Sequence, residues 1–257
     1  MVQFHRSNRN KVIMVKIGNF LFKTRNYLFP VFYVFLFLPF TRISENYTKV
    51  FFIGLAIAIL GQLVRMLTIG LVYIVRGGRN RRIYADGLVT DGLFSHCRNP
   101  MYVGNILLII GMSVLSNSLF AVLVMIPLFI FIYQAIVRAE ENYLSNSYGA
   151  GFDIYCSQVN RWFPKLKGIR ETFKSNDFNL KKVAFKEYNT SYLWMLGAVL
   201  LLAYNTNWLR TELNLENEGV YFLVAIGVLT TLYFTIRFFK KRERRLQSKK
   251  IVTEQSL

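Results

Sequence analysis

Apolar and polar residues follow one another along this chain in long blocks. Six apolar stretches are long enough, or nearly so, to cross a membrane as helices, because about 20 helical residues span a hydrocarbon core roughly 30 Å thick. They cover residues 27–40, 50–75, 101–115, 119–137, 192–209 and 220–236. The pattern predicts an all-α, polytopic membrane helical bundle with about six transmembrane helices.

The third and fourth stretches are separated only by Ser116, Asn117 and Ser118. So short a polar break predicts a tight helical hairpin. The two outer ends of the hairpin, near Arg98 and near Glu140, should then meet at one membrane face, although about 40 residues separate them in the sequence.

Composition narrows the class of protein. Of 257 residues, 53% are hydrophobic and 18% charged, with 32 Lys+Arg against 14 Asp+Glu. A disordered chain is much less apolar, and a nucleic-acid-binding protein of this charge is usually less apolar too. Two cysteines make neither a disulfide framework nor a zinc cluster by themselves, so no metal is expected. We also expect no secretory signal peptide, because the first apolar run begins late and no small-residue cleavage site follows it.

The positive charges are distributed unevenly between the segments that join the spans. Alternate segments carry 28 of the 32 Lys and Arg residues. Because cytoplasmic loops are enriched in Lys and Arg, both termini and the long polar segments 76–100 and 138–191 are predicted to be cytoplasmic. The basic turn at 77–82 and the basic tail from Arg237 are interpreted as anchors on anionic lipid headgroups.

Several helix boundaries can be predicted inside the polar segments. Pro100 suits the first turn of a helix, where its missing N–H needs no partner. Tyr148-Gly149 indicates a helix stop. A further helix is expected over 152–159, with one face formed by residues 152, 155, 156 and 159.

The chemistry-bearing residues lie at the two ends of the hairpin. Arg98 and Asn99 stand at the start of a helix, a favourable place for a carboxylate. Adjacent side chains do not share a helical face, so at most one of Glu140 and Glu141 is expected to enter the same site. The alternative is an ordinary helix start with a snorkelling Arg, opposite a solvated helix end.

Arg65 lies inside the second stretch, where a charge costs at least about 2.5 kcal/mol unless it is paired or snorkels. Two interpretations stay open. Arg65 faces a substrate cavity and binds an anionic group, or a tilted helix brings it to polar neighbours.

The order and spacing of these residues resemble the isoprenylcysteine carboxyl methyltransferase family. The resemblance rests on residues 98–104, read Arg-Asn-Pro-Met-Tyr-Val-Gly, on Glu140-Glu141 after a short hairpin, and on 148–149 and 155–164. Phosphatidylethanolamine methyltransferases are similar, since they share the Asn-Pro-x-Tyr-x-Gly and Glu-Glu signatures. The resemblance covers about residues 85–165. Asn99 stands where eukaryotic prenylcysteine enzymes usually carry His.

The resemblance implies an integral membrane methyltransferase that uses S-adenosylmethionine in a cytoplasmic pocket. Its lipophilic substrate would enter from the bilayer. The cofactor-binding residues carried over are Arg98, Asn99, Pro100, Tyr102, Gly104, Glu140, Glu141 and Tyr155. Arg65, Asn99 and Arg161 are expected on the catalytic side. Tyr155, Arg161 and Trp162 are expected at the lid of the pocket or on its substrate side.

The chain is thus divided into N-terminal membrane helices (1–84), a methyltransferase core (85–165) and a C-terminal extension (166–257). The expected reaction is most like carboxyl O-methylation of an isoprenylcysteine. The alternatives are phospholipid N-methylation, a sterol-type membrane reductase using NADPH, and a non-enzymatic scaffold or transporter. The sequence leaves the oligomeric state open.

Overall fold

The computed structural model describes residues 2–72, 83, 87–205 and 218–255. Within these ranges the chain is helical, and its one β-type contact is an isolated bridge between Arg42 and Ser118. This confirms the predicted all-α class. The predicted basic turn at 77–82 lies outside the described residues.

Eight α-helices follow one another in the described ranges. They are α1 (Val2–Leu36), α2 (Tyr47–Leu71), α3 (Pro100–Leu115), α4 (Ile126–Tyr148), α5 (Ala150–Gln158), α6 (Ile169–Ser175), α7 (Leu180–Asn205) and α8 (Glu218–Gln255). A short 3-10 helix (Gly92–Ser95) precedes α3, and a π-helical turn (Ala121–Met125) leads into α4.

Three helical segments of the described chain are long and apolar enough to cross a membrane: Tyr47–Leu71, Ala121–Tyr148 and Gly219–Gln247. They contain most of the second, fourth and sixth predicted stretches, and α3 is the shorter apolar helix predicted as the third. The chain is therefore a membrane helical bundle. The total of about six crossings stays a prediction.

The first predicted stretch was placed too narrowly. Residues 27–40 were expected as the first apolar helix, but α1 runs from Val2 to Leu36 and includes Lys23 and Arg25. The reason is that Lys and Arg interrupt an apolar pattern without opposing a helix, for which both have high propensity. The fifth stretch likewise falls on a longer helix, α7.

The chain forms two compact units, residues 1–178 and 179–257. The first contains α1 to α6, and the second contains α7 and α8. The functional division at 84/85 and 165/166 stays a prediction.

A seam of small residues joins α2 to α3 in the first unit. A Cβ atom added to Gly61 would lie 2.8 Å from the carbonyl oxygen of Gly104, and one added to Gly111 would lie 2.5 Å from the backbone nitrogen of Ala58. Backbones approach this closely in membrane bundles only where side chains are absent or small. The seam therefore holds α2 against α3, the helix whose first residues form part of the candidate site.

The tight hairpin between α3 and α4 is confirmed. Asn117 occupies its tip in the left-handed region, with φ of 54°. Its side-chain oxygen accepts hydrogen bonds from the backbone N–H groups of Ile43 and Ser44, and its amide donates to the carbonyl of Ser44. These bonds hold the turn and return α4 towards the start of α3.

Candidate functional site

Asn99 and Pro100 begin helix α3. Pro100 is the first helical residue, as predicted, and Asn99 is the N-cap residue. The Asn99 side chain does not cap its own helix. Its amide nitrogen lies 3.3 Å from the carbonyl oxygen of Arg161 and 3.5 Å from Oε1 of Glu141, and the residue is only 2% exposed. Asn99 thus joins the start of α3 to two distant segments.

Glu141 is the centre of the polar cluster. Arg161 holds both of its carboxylate oxygens, with Nε 3.1 Å from Oε1 and Nη2 2.5 Å from Oε2. Nη1 of Arg98 lies 3.4 Å from Oε1. Paired, parallel N–H donors give an Arg–carboxylate pair both strength and a fixed orientation. Two guanidinium groups therefore share this one carboxylate.

Glu140 points elsewhere, as expected for an adjacent helical position. The Tyr102 hydroxyl donates a hydrogen bond of 2.6 Å to its Oε1. The centres of the Tyr102 and Tyr133 rings lie 5.3 Å apart, so Tyr133 of α4 packs next to this hydrogen-bonded pair. Both glutamates are buried, Glu140 at 3% and Glu141 at 8% exposure, because each has a partner of its own. Asn99 and Tyr102 lie on one turn at the start of α3, so they connect the surroundings of Glu141 with those of Glu140.

The segment that follows α5 crosses the start of α3. The backbone N–H of Arg98 donates to the carbonyl of Asn160 at 2.9 Å. The indole N–H of Trp162 donates to Oε1 of Gln134 at 2.9 Å. These bonds fix the segment that carries Arg161. The predicted lid residues therefore lie beside Arg98 and Glu141.

Tyr155 lies in the adjoining apolar core. Its hydroxyl donates to the carbonyl of Phe94 at 2.7 Å, and its ring packs in a buried cluster with Leu144, Phe152 and Val159. The predicted helix over 152–159 is present as α5, and its apolar face packs against the end of α4. That helix end, at Tyr148-Gly149, is also as predicted.

Two thiols border the cluster. Nη1 of Arg98 lies 2.7 Å from Sγ of Cys156. Burial raises the pKa of the Cys156 thiol above its usual value, and the nearby charge of Arg98 acts in the opposite direction. Burial also raises the pKa of Cys97, against the effects of a backbone hydrogen bond at Asn99 and of Arg98. Both thiols are therefore protonated near neutral pH.

His96 is a buried residue that the sequence analysis missed. Its Nδ1 lies 2.5 Å from the carbonyl oxygen of Lys165, and its Nε2 lies 2.8 Å from Oγ1 of Thr172. The backbone N–H of Lys165 donates back to the His96 carbonyl at 3.0 Å. His96 ties the start of the site to α6. Its position two residues before Arg98 was the available signal, but nothing in the sequence paired it with residues 165 and 172.

Arg65 and Gly104 meet at the seam between α2 and α3. The Arg65 guanidinium donates to the side-chain oxygen of Asn105, and a Cβ atom added to Gly104 would lie 2.5 Å from Cγ of Arg65. Gly104 thus makes room for α2 and its Arg65. The buried position of Arg65 matches the interpretation in which it has polar neighbours, and its catalytic role stays a prediction.

The structure brings Arg98, Asn99, Glu141 and Arg161 into one cluster. Tyr102 and Glu140 adjoin it along α3 and α4. Tyr155 supports it from the core, and Arg65 contacts the next residues of α3. In the described part of the chain, no group of three or more His, Cys, Asp and Glu residues is suited to hold a metal ion.

Comparison with known proteins shows what the central part of this chain is similar to. The sequence model of the family described as "Phospholipid methyltransferase" matches residues 49–151, which include α2, α3, α4 and both glutamates. The match covers the hairpin and the Asn99 to Gly104 motif.

Two curated relatives are also similar. A nickel-cobalt-cadmium resistance protein from Alcaligenes xylosoxydans xylosoxydans is 29% identical over 160 residues, which are 57% of this chain and 73% of that protein. A cobalt-zinc-cadmium resistance protein from Cupriavidus metallidurans is 30% identical over 110 residues, 43% of this chain. The latter match spans about half the length of the relative, 49%.

Proposed function

We propose that this protein is an S-adenosylmethionine-dependent membrane enzyme that methylates a lipophilic acceptor, because residues 49–151 match the model of the phospholipid methyltransferase family. The observation that carries the proposal is the cluster around Glu141. It combines a family motif with two buried carboxylates and two partly buried guanidinium groups at the start of α3, where that helix meets α4.

The donor and acceptor set suits this cofactor. Its amino-acid end has a carboxylate and an ammonium group, and its ribose has two hydroxyls. Arg98, with the N-terminal end of α3 beside it, is suited to receive the carboxylate. Glu141 is suited to accept hydrogen bonds from the ammonium group or the hydroxyls. Asn99 and Tyr102 hold the two carboxylates in place.

When bound, the cofactor supplies a methyl group already activated by its sulfonium. The protein then has to align the acceptor with that methyl group and exclude water, and it needs little acid–base machinery. The burial of Asn99, Glu140 and Glu141 supports such a water-poor site. A carboxylate acceptor is ionised at neutral pH and needs no base, so an Asn at position 99 suffices.

Two acceptor classes fit the site. An isoprenylcysteine-type carboxylate is our first choice, because the guanidinium group of Arg161 is partly exposed and is suited to pair with an anionic acceptor and position it. The family description favours the second, a phospholipid amine. An amine must lose a proton before it attacks. The buried carboxylate of Glu140, which is bonded to Tyr102, is suited to accept that proton.

The membrane setting is part of the proposal. We place the cluster, both termini and the long polar segments in the cytoplasm, on the distribution of Lys and Arg. The acceptor enters from the bilayer, beside the apolar faces of the helices. The metal resistance in the names of the two relatives assigns no ligand set to this chain.

Ligand stabilisation of the purified protein tests the cofactor. S-adenosylmethionine or its demethylated product should raise the melting temperature by mass action, and NADPH should not. Glu141→Gln should remove the shift, while Glu45→Gln, an exposed acid on the α1–α2 connection, should keep it. A shift with NADPH alone would instead favour the reductase, and no shift with any of the three would reject the cofactor site.

Methyl transfer from a labelled cofactor then identifies the acceptor. We expect label in prenylcysteine analogues rather than in phosphatidylethanolamine. Label in the phospholipid alone would assign the second acceptor class. Cofactor binding without label in either lipid would reject both classes.

A further inference from the structure

Helices α7 and α8 lie outside the residues that match the family, and they pair as an antiparallel hairpin. Nζ of Lys181 lies 2.5 Å from Oε1 of Glu243 at one end of the pair. Further along, the hydroxyls of Tyr192 and Thr230 lie 3.3 Å apart. The start of α7 is therefore level with the part of α8 that follows Ile236.

The end of the hairpin at which α7 begins is strongly basic. Residues 180–188 and 237–247 contain nine basic and two acidic side chains. The basic ones are Lys181, Lys182, Lys186, Arg237, Lys240, Lys241, Arg242, Arg244 and Arg245. Of the acids, Glu243 pairs with Lys181, and the side chain of Glu187 is buried. Most of this positive charge is therefore not neutralised by acids of the hairpin.

Three of the cations come from both helices and lie close to one another. Lys240 lies within electrostatic range of Lys186 and Arg244. It is also fixed in place, since its Nζ donates to the carbonyl of Phe185 and lies 4.6 Å from the centre of the Tyr188 ring. Like charges held together repel, and an anion placed between them would relieve that repulsion.

The position of these cations along α8 indicates what kind of anion fits. The apolar part of α8 before them, residues 220–236, rises about 25 Å, close to the thickness of a hydrocarbon core. Lys240 and Arg244 then stand at the headgroup level. Just before them Phe234, Phe238 and Phe239 are exposed. An anionic head carried on acyl chains matches both surfaces.

We propose that Lys186, Lys240 and Arg244 bind the phosphate of an anionic phospholipid whose acyl chains lie along the exposed apolar face of α8. The lipid is a bound ligand of the C-terminal hairpin and not the methyl acceptor. The inference does not depend on the proposed enzyme activity.

Native mass spectrometry of the full chain in detergent tests this site, with dioctanoyl phosphatidylglycerol as the probe. Lys240→Gln with Arg244→Gln should weaken binding about 30-fold, because each basic residue at such a surface contributes roughly fivefold. The matched control, Lys241→Gln with Arg242→Gln, removes the same charge from the same turns. Its side chains lie about 100° and 200° around the helix from Lys240, so we expect less than about a threefold change.

A second variant guards against a folding effect. Lys240 also bonds to Phe185, so the double variant could lose the hairpin itself. Lys186→Gln removes a cation of the site without that bond, and it should weaken binding about fivefold at an unchanged melting temperature.

Three results would overturn the site. They are equal losses in the double variant and its control, equal binding of dioctanoyl phosphatidylcholine, and displacement of the lipid by a similar concentration of inorganic phosphate. Unchanged binding in Lys186→Gln would overturn it as well.

Discussion

Arg161 holds both carboxylate oxygens of Glu141 across twenty positions of sequence, at 3.1 and 2.5 Å. Glu141 lies on a helix that the apolar pattern predicts, whereas Arg161 lies in an irregular segment after α5. The pair therefore joins a helix to an irregular segment. That segment is held against the start of α3 by the main-chain hydrogen bond between Arg98 and Asn160, and against α4 by the indole hydrogen bond of Trp162.

The first prediction concerns this pair. Arg161→Lys keeps the charge but loses the planar fork that matches a carboxylate. We expect the free energy of unfolding to fall by about 1–3 kcal/mol, because one oxygen of a buried carboxylate loses its donor. Cofactor affinity should fall as well, since the Glu141 side chain is no longer oriented. Thermal unfolding and titration with the demethylated cofactor measure the two effects.

Arg170→Lys is the matched control, because Arg170 lies on the exposed side of α6. It should leave stability and affinity unchanged. If Arg161→Lys behaves like the control, the paired hydrogen bonds between Arg161 and Glu141 do not hold the site in place.

Much of this arrangement could be predicted from the sequence. The short break at Asn117 predicted a tight hairpin, which brings Glu141 back to Arg98, where the structure has their charged groups 3.4 Å apart. Pro100 predicted where α3 begins. These predictions succeeded because apolar length, proline and turn residues act locally.

The contacts made by irregular segments could not be predicted in the same way. No periodic pattern in the sequence predicts that Arg161 pairs with Glu141. None predicts the hydrogen bonds from His96 to Lys165 and Thr172 either. Such pairings depend on how connecting segments cross a finished bundle. The uninterrupted α1 was also missed, because charged residues were given too much weight as helix breaks.

The seam between α2 and α3 gives a second prediction. Gly111→Ala should destabilise the protein by about 1–3 kcal/mol, because the added methyl would meet the Ala58 backbone at 2.5 Å, and backbone cannot move aside cheaply. The melting temperature in detergent, together with elution as a single species, measures this. Gly227→Ala on α8 is the control, since a Cβ atom there meets nothing within 4 Å. Equal melting temperatures for the two variants would contradict the tight seam.

The thiol beside Arg98 gives a prediction on pH. Burial raises the Cys156 pKa and Arg98 opposes the rise, so Arg98→Met should raise that pKa further. The rate of alkylation depends on the thiolate fraction, so its midpoint should move to higher pH in the variant. The midpoint, rather than the absolute rate, is the measurement, because the variant also changes access to the thiol. Cys156→Ser gives the background from Cys97. A midpoint that stays put or moves to lower pH would show that Arg98 does not stabilise the thiolate.

The last prediction decides between the two interpretations of Arg65. Its guanidinium bonds to Asn105 inside the bundle. If Arg65 serves only that contact, Arg65→Met should be nearly as stable as the natural protein once Asn105→Leu is added, since replacing both partners of a buried hydrogen bond by apolar groups can be nearly neutral. The double variant would then retain methyl transfer. If Arg65 binds the acceptor, the double variant should still bind the cofactor but lose activity by tenfold or more, as expected for the loss of a charged contact to the acceptor. We expect the first result, because Arg65 is buried and bonded to Asn105, and a tenfold or larger loss of activity in the double variant would instead place Arg65 against the acceptor.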